Sequence, residues 1–432
     1  MCTERVWRWW AVGSLYLAFL SSGIVFNIIP PTLHDLQTVF NSTIGDISPV
    51  YTSRSAGYLF GTILGETCDV HVLIANNVLC SKEDSRQLCL VVFVGLMAVT
   101  VSVLPFCGSL RNLFIVAAVN GITSGVSDVA SNVWLLDMFK EKSGPYIQAL
   151  YFFFALGSSL SPLLSAPFLK ENNLQETKIY SAYIVSGIIG AFSSIILLIV
   201  YFASPVRETI FNVRTEFAQM LCNWKPVRMM SWYISVVVGL GFITILVYSG
   251  FEISYMQFMP ILVTQSKLNV SDTDAAFMNS AMNVAFTCFR GISIIANMII
   301  ESKILIYFDL FVLSIATTIL FIFINTSQTM LYVGNILMGV GFSSIYPSIY
   351  AFVEQYIDVT NFIGSLFAFA SGVTAIIYPP VIGEYIERNP LVVLYLNVMS
   401  ISLTLFAFVA LHIFTATRAD SRNNNVDDIV LN

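Results

Sequence analysis

The sequence is poor in charge: Lys, Arg, Asp and Glu make up 11% of its 432 residues, against about a quarter in an average soluble domain. That shortage excludes a solvated surface of ordinary extent, which needs roughly 25–35% ionised side chains to stay dispersed in water. Histidine is scarcer still. His34, His71 and His412 are scattered and no nucleophile sits beside a base, so no catalytic residue is assigned and the chain is read as not an enzyme. The seven cysteines are odd in number and lack C-x-x-C spacing, which gives neither a disulfide framework nor a metal site. No long basic tract interrupts the formal charge of -6, so a nucleic-acid partner is excluded.

What the chain has in abundance is apolar surface. Hydrophobic residues make up 56% and aromatics 14%, with a mean hydropathy of +0.78. A bilayer-spanning helix takes about 20 apolar residues. Hydropathy separates twelve such stretches, at 9–31, 47–68, 88–107, 113–138, 145–168, 180–203, 232–260, 275–299, 304–324, 329–353, 360–384 and 391–415. Backbone groups left unbonded in hydrocarbon are too costly, so each must be a helix. The expected fold is all-α: a polytopic membrane protein of twelve transmembrane helices in two six-helix pseudo-repeated bundles. The division into 1–203, a cytoplasmic linker at 204–231, 232–416 and a tail at 417–432 follows the longest polar interruption.

Basic residues orient the chain. With the N-terminus in the cytosol, thirteen Lys and Arg fall in inner segments and five in outer ones, while Arg54 and Arg290 lie within spans. That bias predicts both termini inside. The sequons at Asn41, Asn269 and Asn325 all fall in outer segments; Asn41 and Asn269 are the expected glycosylation sites, Asn325 lying too close to the membrane.

Polar groups inside the spans point to function, because an ionisable residue in the bilayer is costly and ordinarily faces a cavity or a partner. The third, sixth, ninth and twelfth spans carry almost none, apart from Asp309 and His412 near inner ends. The rest carry many: Asn27 in the first, Arg54 in the second, Asn120, Asp128 and Asn132 in the fourth, Gln148 in the fifth, Glu252 in the seventh, Asn279, Asn283 and Arg290 in the eighth, Asn335 in the tenth. One span in three is thus a support, and the others line a path between two halves. Helical spacing aligns Gly121, Gly125, Asp128 and Asn132 on one face, and Gln148 with Tyr151 on another. Asn27, Asn120, Asn279 and Asn335 either bridge helices or contact a solute. Glu252 and Arg290 either pair or stand about two turns apart in depth. Arg54 either acts at mid-membrane or reaches water at the outer mouth.

These residues resemble the major facilitator superfamily, and within it the branch of sodium-dependent glucose transporters and the fourth group of facilitator-domain proteins. The likeness rests on the D-xxx-N pair (Asp128, Asn132), the SGPY-x-QAL run from Ser143 to Leu150, the G-xxxx-P turn (Gly157, Pro162) and the run MGVGFSSIYPSIYAFVEQY from Met338 to Tyr356. Two departures stand out. Val70 and His71 replace the basic start of the motif after the second span, where residues 73–87 look inserted, and Tyr151 stands where the branch often has His.

The resemblance implies a secondary transporter of a small hydroxylated solute, a hexose such as glucose, working by alternating access as a plasma-membrane monomer. It implies no cofactor beyond a coupling sodium ion or proton. Asp128 is expected to bind that ion, Asn132, Gln148, Tyr151, Asn283 and Asn27 to hold the solute, and Arg290, Glu252 and Arg54 to balance charge. A non-transporting receptor or scaffold on the same fold is the alternative, motivated by the altered motif after the second span.

Overall fold

The computed structural model describes residues 2–67, 82–139, 143–169, 178–203, 232–297, 299–357 and 361–430. The linker expected at 204–231 lies outside them, as do residues 73–81 of the stretch read as inserted. Residues 82–87 of that stretch are the start of the third-span helix, Lys82–Val103.

Helices occupy all twelve expected positions. In the first half they are Cys2–Phe26, Pro49–Thr67, Lys82–Val103, Leu110–Phe139, Gly144–Ser165 and Ile179–Phe202. In the second they are Trp232–Thr264, Asp272–Ala296, Ser302–Phe323, Gln328–Glu354 with one break, Asn361–Ile386 and Val392–Val430. Ten of them are apolar and long enough to cross a membrane. The second and eighth fall short because they carry the polar load, including Arg54 in one and Asn279, Asn283 and Arg290 in the other. The last helix runs beyond the expected boundary at 416 as continuous helix to Val430.

Two breaks matter for the site. The first stretch ends as a helix at Phe26 and resumes as Ile29–Val39, with Pro30 and Pro31 in the new first turn, where a missing N–H costs nothing. The tenth span breaks at Ser343 and Ser344 into Gln328–Phe342 and Ile345–Glu354. There the Ser344 hydroxyl donates to the Asp309 carboxylate of the ninth span. Asp309 therefore has a local partner at the break.

The packing repeats between halves. The first span packs on the fifth and sixth, the second on the fourth, the third on the fourth and sixth. The seventh likewise packs on the eleventh and twelfth, the eighth on the tenth, the ninth on the tenth and twelfth. The halves meet where the fifth span touches the eighth and the second touches the eleventh, a reciprocal pair of contacts. The nearly apolar third, sixth, ninth and twelfth spans lie outermost, presenting exposed side chains such as Val99, Ile188, Phe311 and Phe406. An exposed apolar stripe of that extent is what hydrocarbon solvates.

Glycine sets the spacing of the second and fourth spans. A Cβ on Gly57, Gly61, Gly121 or Gly125 would lie 2.0–2.4 Å from a carbonyl oxygen of the facing helix. The two backbones touch, which larger residues would prevent.

Candidate functional site

A cavity of about 180 Å³ lies between the halves. From the first half it is lined by Phe26, Asn27, Arg54, Phe154 and Ser158, and from the second by Glu252, Met256, Gln257, Asn283, Phe286 and Arg290, among others. Its volume is below the 300–1,000 Å³ of drug-sized sites, which suits a small metabolite.

Arg54 reaches this cavity from the second span and is 2% exposed. Its Nη1 donates to the Phe26 carbonyl at 2.6 Å, and its guanidinium lies 4.2 Å from the centre of the Phe26 ring. The alternative of an outer-mouth residue reaching water is therefore excluded. Arg290 covers the Phe286 ring one turn along its own helix, at 4.7 Å. Glu252 and Arg290 share the cavity wall, yet among the described residues no ion pair joins them. Asn27 lines the cavity and also bridges helices, donating to the Ser158 carbonyl at 2.9 Å.

Asp128, Asn132 and Tyr151 do not line this cavity. They form a second cluster, one helical turn along from it: Tyr58 follows Arg54 by four residues, and Tyr151 precedes Ala155 by four. The Tyr58 hydroxyl donates to Asp128 Oδ2 at 2.5 Å. Asn132 Nδ2 donates to Asp128 Oδ1 at 3.0 Å and to the Tyr151 hydroxyl at 3.0 Å. Tyr151 is 42% exposed and Gln148, a further turn away, is exposed as well. Of the five residues expected around the solute, Asn27 and Asn283 line this cavity, while Asn132, Gln148 and Tyr151 lie outside its wall. Sequence spacing fixes the face of a helix but not the level at which the facing helix opens a void.

Two of the remaining amides, Asn120 and Asn335, join helices. Asn120 Nδ2 donates to the Met97 carbonyl and the Thr100 hydroxyl, tying the fourth span to the third. Asn335 accepts the Tyr255 hydroxyl at 2.6 Å, and Tyr248 donates to the Phe342 carbonyl at 2.8 Å. These tyrosines brace the seventh span against the tenth, and Tyr248 stands one turn before the cavity-lining Glu252 on the same side of that helix. Sequence reading missed Gln257, Met256, Phe26 and Ser158; only a periodicity of four from Glu252 to Met256 hinted at that face.

One face of the molecule is closed by bonds between halves. His34 Nδ1 and Asp272 Oδ2 are 3.0 Å apart, and Glu387 accepts from the Ile44 backbone N–H at 2.7 Å and from Gln37 Nε2 at 3.2 Å. Thr52 donates to the Ile376 carbonyl at 2.9 Å, and Ser280 to the Ser159 carbonyl at 2.8 Å at mid-depth. Asn41 and Asn269 lie exposed in turns on this face, both in the left-handed backbone region, with φ of 46° and 49°. Asparagine tolerates that conformation better than most residues.

The Major Facilitator Superfamily profile matches residues 15–379. This chain belongs to that superfamily. Among curated relatives of this facilitator, sodium-dependent glucose transporter 1 of Xenopus laevis is 25% identical over 93% of the chain and 81% of the relative. The Danio rerio protein of the same name is 24% identical over 95% of the chain and 70% of its own length. Major facilitator superfamily domain-containing protein 4A of Homo sapiens is 31% identical over 36% of the chain and 28% of that protein. Among solved structures, a D-xylose-proton symporter superposes with a TM-score of 0.69 at 13% identity, covering 93% of this chain and 97% of the other. At that identity the likeness speaks for the fold. The facilitator is thus a multi-pass membrane transporter, and its relatives are transporters rather than enzymes.

Proposed function

We propose that this facilitator carries a small hydroxylated solute, a hexose such as glucose, by alternating access between its two six-helix halves, with residues 204–231 as the cytoplasmic connection. The observation that carries the reading is the cavity itself: both halves build its wall, so any rocking of one against the other changes its exposure. The sodium-dependent glucose transporters among its relatives support the sugar. The wall offers Gln257, Asn283 and Asn27 for hydroxyls, with Phe26, Phe154 and Phe286 as apolar faces for a ring.

Asp128 is the proposed coupling carboxylate, taking a proton or a sodium ion. It accepts hydrogen bonds from Tyr58 and Asn132, and an arriving cation would compete with both donors and release them. Tyr151, joined to Asn132, carries that change toward the exposed end of the fifth span. Both termini are proposed to be cytoplasmic and the home membrane to be the plasma membrane. The sealed face, with Asn41 and Asn269, then faces outward.

Uptake of labelled glucose into proteoliposomes, with an imposed sodium or pH gradient, tests this reading. Gradient-driven accumulation is expected in the parent protein and equilibration without accumulation in Asp128→Asn. Absence of any saturable flux in the parent would defeat the carrier assignment, and undiminished accumulation in the variant would defeat the coupling role.

A further inference from the structure

Two guanidinium groups and one carboxylate line the cavity, leaving a net of one positive charge. Arg54 is the less compensated of the two. Among the described residues no carboxylate pairs with it: Nη1 goes to the Phe26 carbonyl, the plane lies over the Phe26 ring, and Nε has no partner although it is buried. The Phe26 carbonyl closes the first-span helix, so the negative end of that helix dipole offsets part of the charge. A buried guanidinium otherwise left without an anion is unfavourable, and its planar fork suits a carboxylate in two-point contact.

Gln257 supplies an independent observation from the opposite half. It is 3% exposed and lines the same cavity, and neither its Oε1 nor its Nε2 has a hydrogen-bond partner. Buried amides are ordinarily satisfied, so an unmatched donor and acceptor sit in the wall of the void with a cation that has no anion, covered in this state and free to turn toward a solute. The Tyr51 hydroxyl donates to the Gln257 backbone carbonyl at 3.3 Å, which holds this residue close to the second span.

We infer that the solute of this cavity is a hydroxylated monoanion, a sugar acid, whose carboxylate is taken by Arg54 and whose hydroxyls are read by Gln257. The inference rests on the carrier reading of the cavity and puts a sugar acid in place of its neutral hexose. It also gives the solute a mechanical role: bound to Arg54 in one half and Gln257 in the other, it links the parts that must move. A neutral hexose would satisfy Gln257 and leave the guanidinium charge uncompensated.

The probes are labelled D-glucuronate and D-glucose, measured for binding to the full-length purified protein and for flux in proteoliposomes. Glucuronate is expected to bind at least about tenfold more tightly than glucose, as for a buried charge pair with hydrogen bonds. Arg54→Gln is expected to bring that ratio near one. Arg54→Lys, which keeps the charge without the fork and spares the fold, is expected to reduce it only in part. Equal binding of the two probes, binding of neither, or a parental ratio in Arg54→Gln or in monodisperse Arg54→Lys overturns the inference. Glucose flux without any glucuronate preference leaves the hexose carrier standing and removes the anion. Glucuronate preference that depends on Arg54, with no flux of either probe, removes the carrier and leaves the anion site.

Discussion

The cavity and the Asp128 cluster are separated by one helical turn and differ in how far their polar atoms are satisfied. Around the cavity, Arg54 Nε and both polar atoms of the Gln257 side chain lack partners. In the cluster, Asp128 accepts from Tyr58 and Asn132, and Asn132 also reaches Tyr151. A buried polar atom without a partner costs about 1–3 kcal/mol, and a bound solute removes that cost. A closed network offers a solute little, but adding or removing one charge disturbs every member. On the proposed function the difference separates recognition from switching, the cavity being filled by solute and the cluster perturbed by the coupling ion.

Substitution in the cluster should have the largest consequence and break the comparison if it does not. A monoanion moved with one coupling cation carries no net charge, so the ion gradient alone drives it: a tenfold gradient is worth about 1.4 kcal/mol, which corresponds to roughly tenfold accumulation. Asp128→Asn is expected to bring the accumulation ratio to one while exchange of labelled for unlabelled solute continues, since the cavity wall is untouched. Proteoliposome uptake with and without the gradient measures both. Loss of exchange together with accumulation would place Asp128 in solute recognition and erase the distinction.

Next in size is the frame that holds the two regions in register. Arg54 and Tyr58 are carried by the second span, whose backbone touches the fourth at Gly121, where a Cβ would lie 2.0 Å from the Arg54 carbonyl. Gly121→Ala must push the helices apart, at about 1–3 kcal/mol. The expected result is a lower unfolding temperature together with weakened coupling, because Asp128 and Tyr58 sit on the two separating helices. In the second half Gly339 makes the same contact with the eighth span, 2.2 Å from the Met282 carbonyl. Gly339→Ala is expected to cost similar stability but to spare the Asp128 network, so the pair of variants separates frame from switch.

Much of this organisation is legible in the sequence, and the limits are physical. Period and hydropathy locate the spans, and the near absence of polar side chains in one span of three locates the lipid-facing supports, such as the third with its exposed Val99. Arg54 and Arg290 are visible as charges in apolar runs. The second and eighth spans are weakest by hydropathy because they carry those charges, and both reach the cavity wall. What spacing along one helix cannot give is depth against its neighbours. Asn132 and Gln148 share the expected face of their helices, yet the void opens a turn or more away, beside Ala155 and Ser158. Gln257 is silent for another reason: its importance lies in having no partner, and a missing contact has no sequence signal.

The gate on the sealed face should respond more weakly, since its bonds are partly exposed and such pairs contribute about 1 kcal/mol or less. Glu387 accepts from both Gln37 and the Ile44 backbone, joining the halves above the cavity. Glu387→Gln retains the shape and weakens both bonds, so the population open on this face is expected to rise by a few-fold. Thiol labelling of a cysteine introduced at Asn27, inside the cavity, reads that shift from the sealed side. An unchanged labelling rate would mean that the cavity level, rather than this rim, holds the face shut.

The smallest effect expected belongs to the same rim and concerns pH. Thr43 and Asp46 form a reciprocal cap on the short helix Ile44–Ile47: the Asp46 N–H donates to the Thr43 hydroxyl oxygen, while that hydroxyl and the Thr43 N–H donate to the Asp46 carboxylate. Those two bonds hold the Asp46 carboxyl below its ordinary value of 3.8, the side-chain bond contributing most. A lowered folded value means that the cap's contribution is present above the unfolded value and is lost as pH falls through the folded one. Because Ile44 carries the N–H given to Glu387, loosening this cap loosens the rim. Labelling of the Asn27→Cys probe is therefore expected to accelerate slightly below about pH 4 in the parent and to lose part of that dependence in Thr43→Ala, where the cap is already gone. A response of equal size in both proteins would place the acid sensitivity outside this cap, and would confine the cap to local helix order.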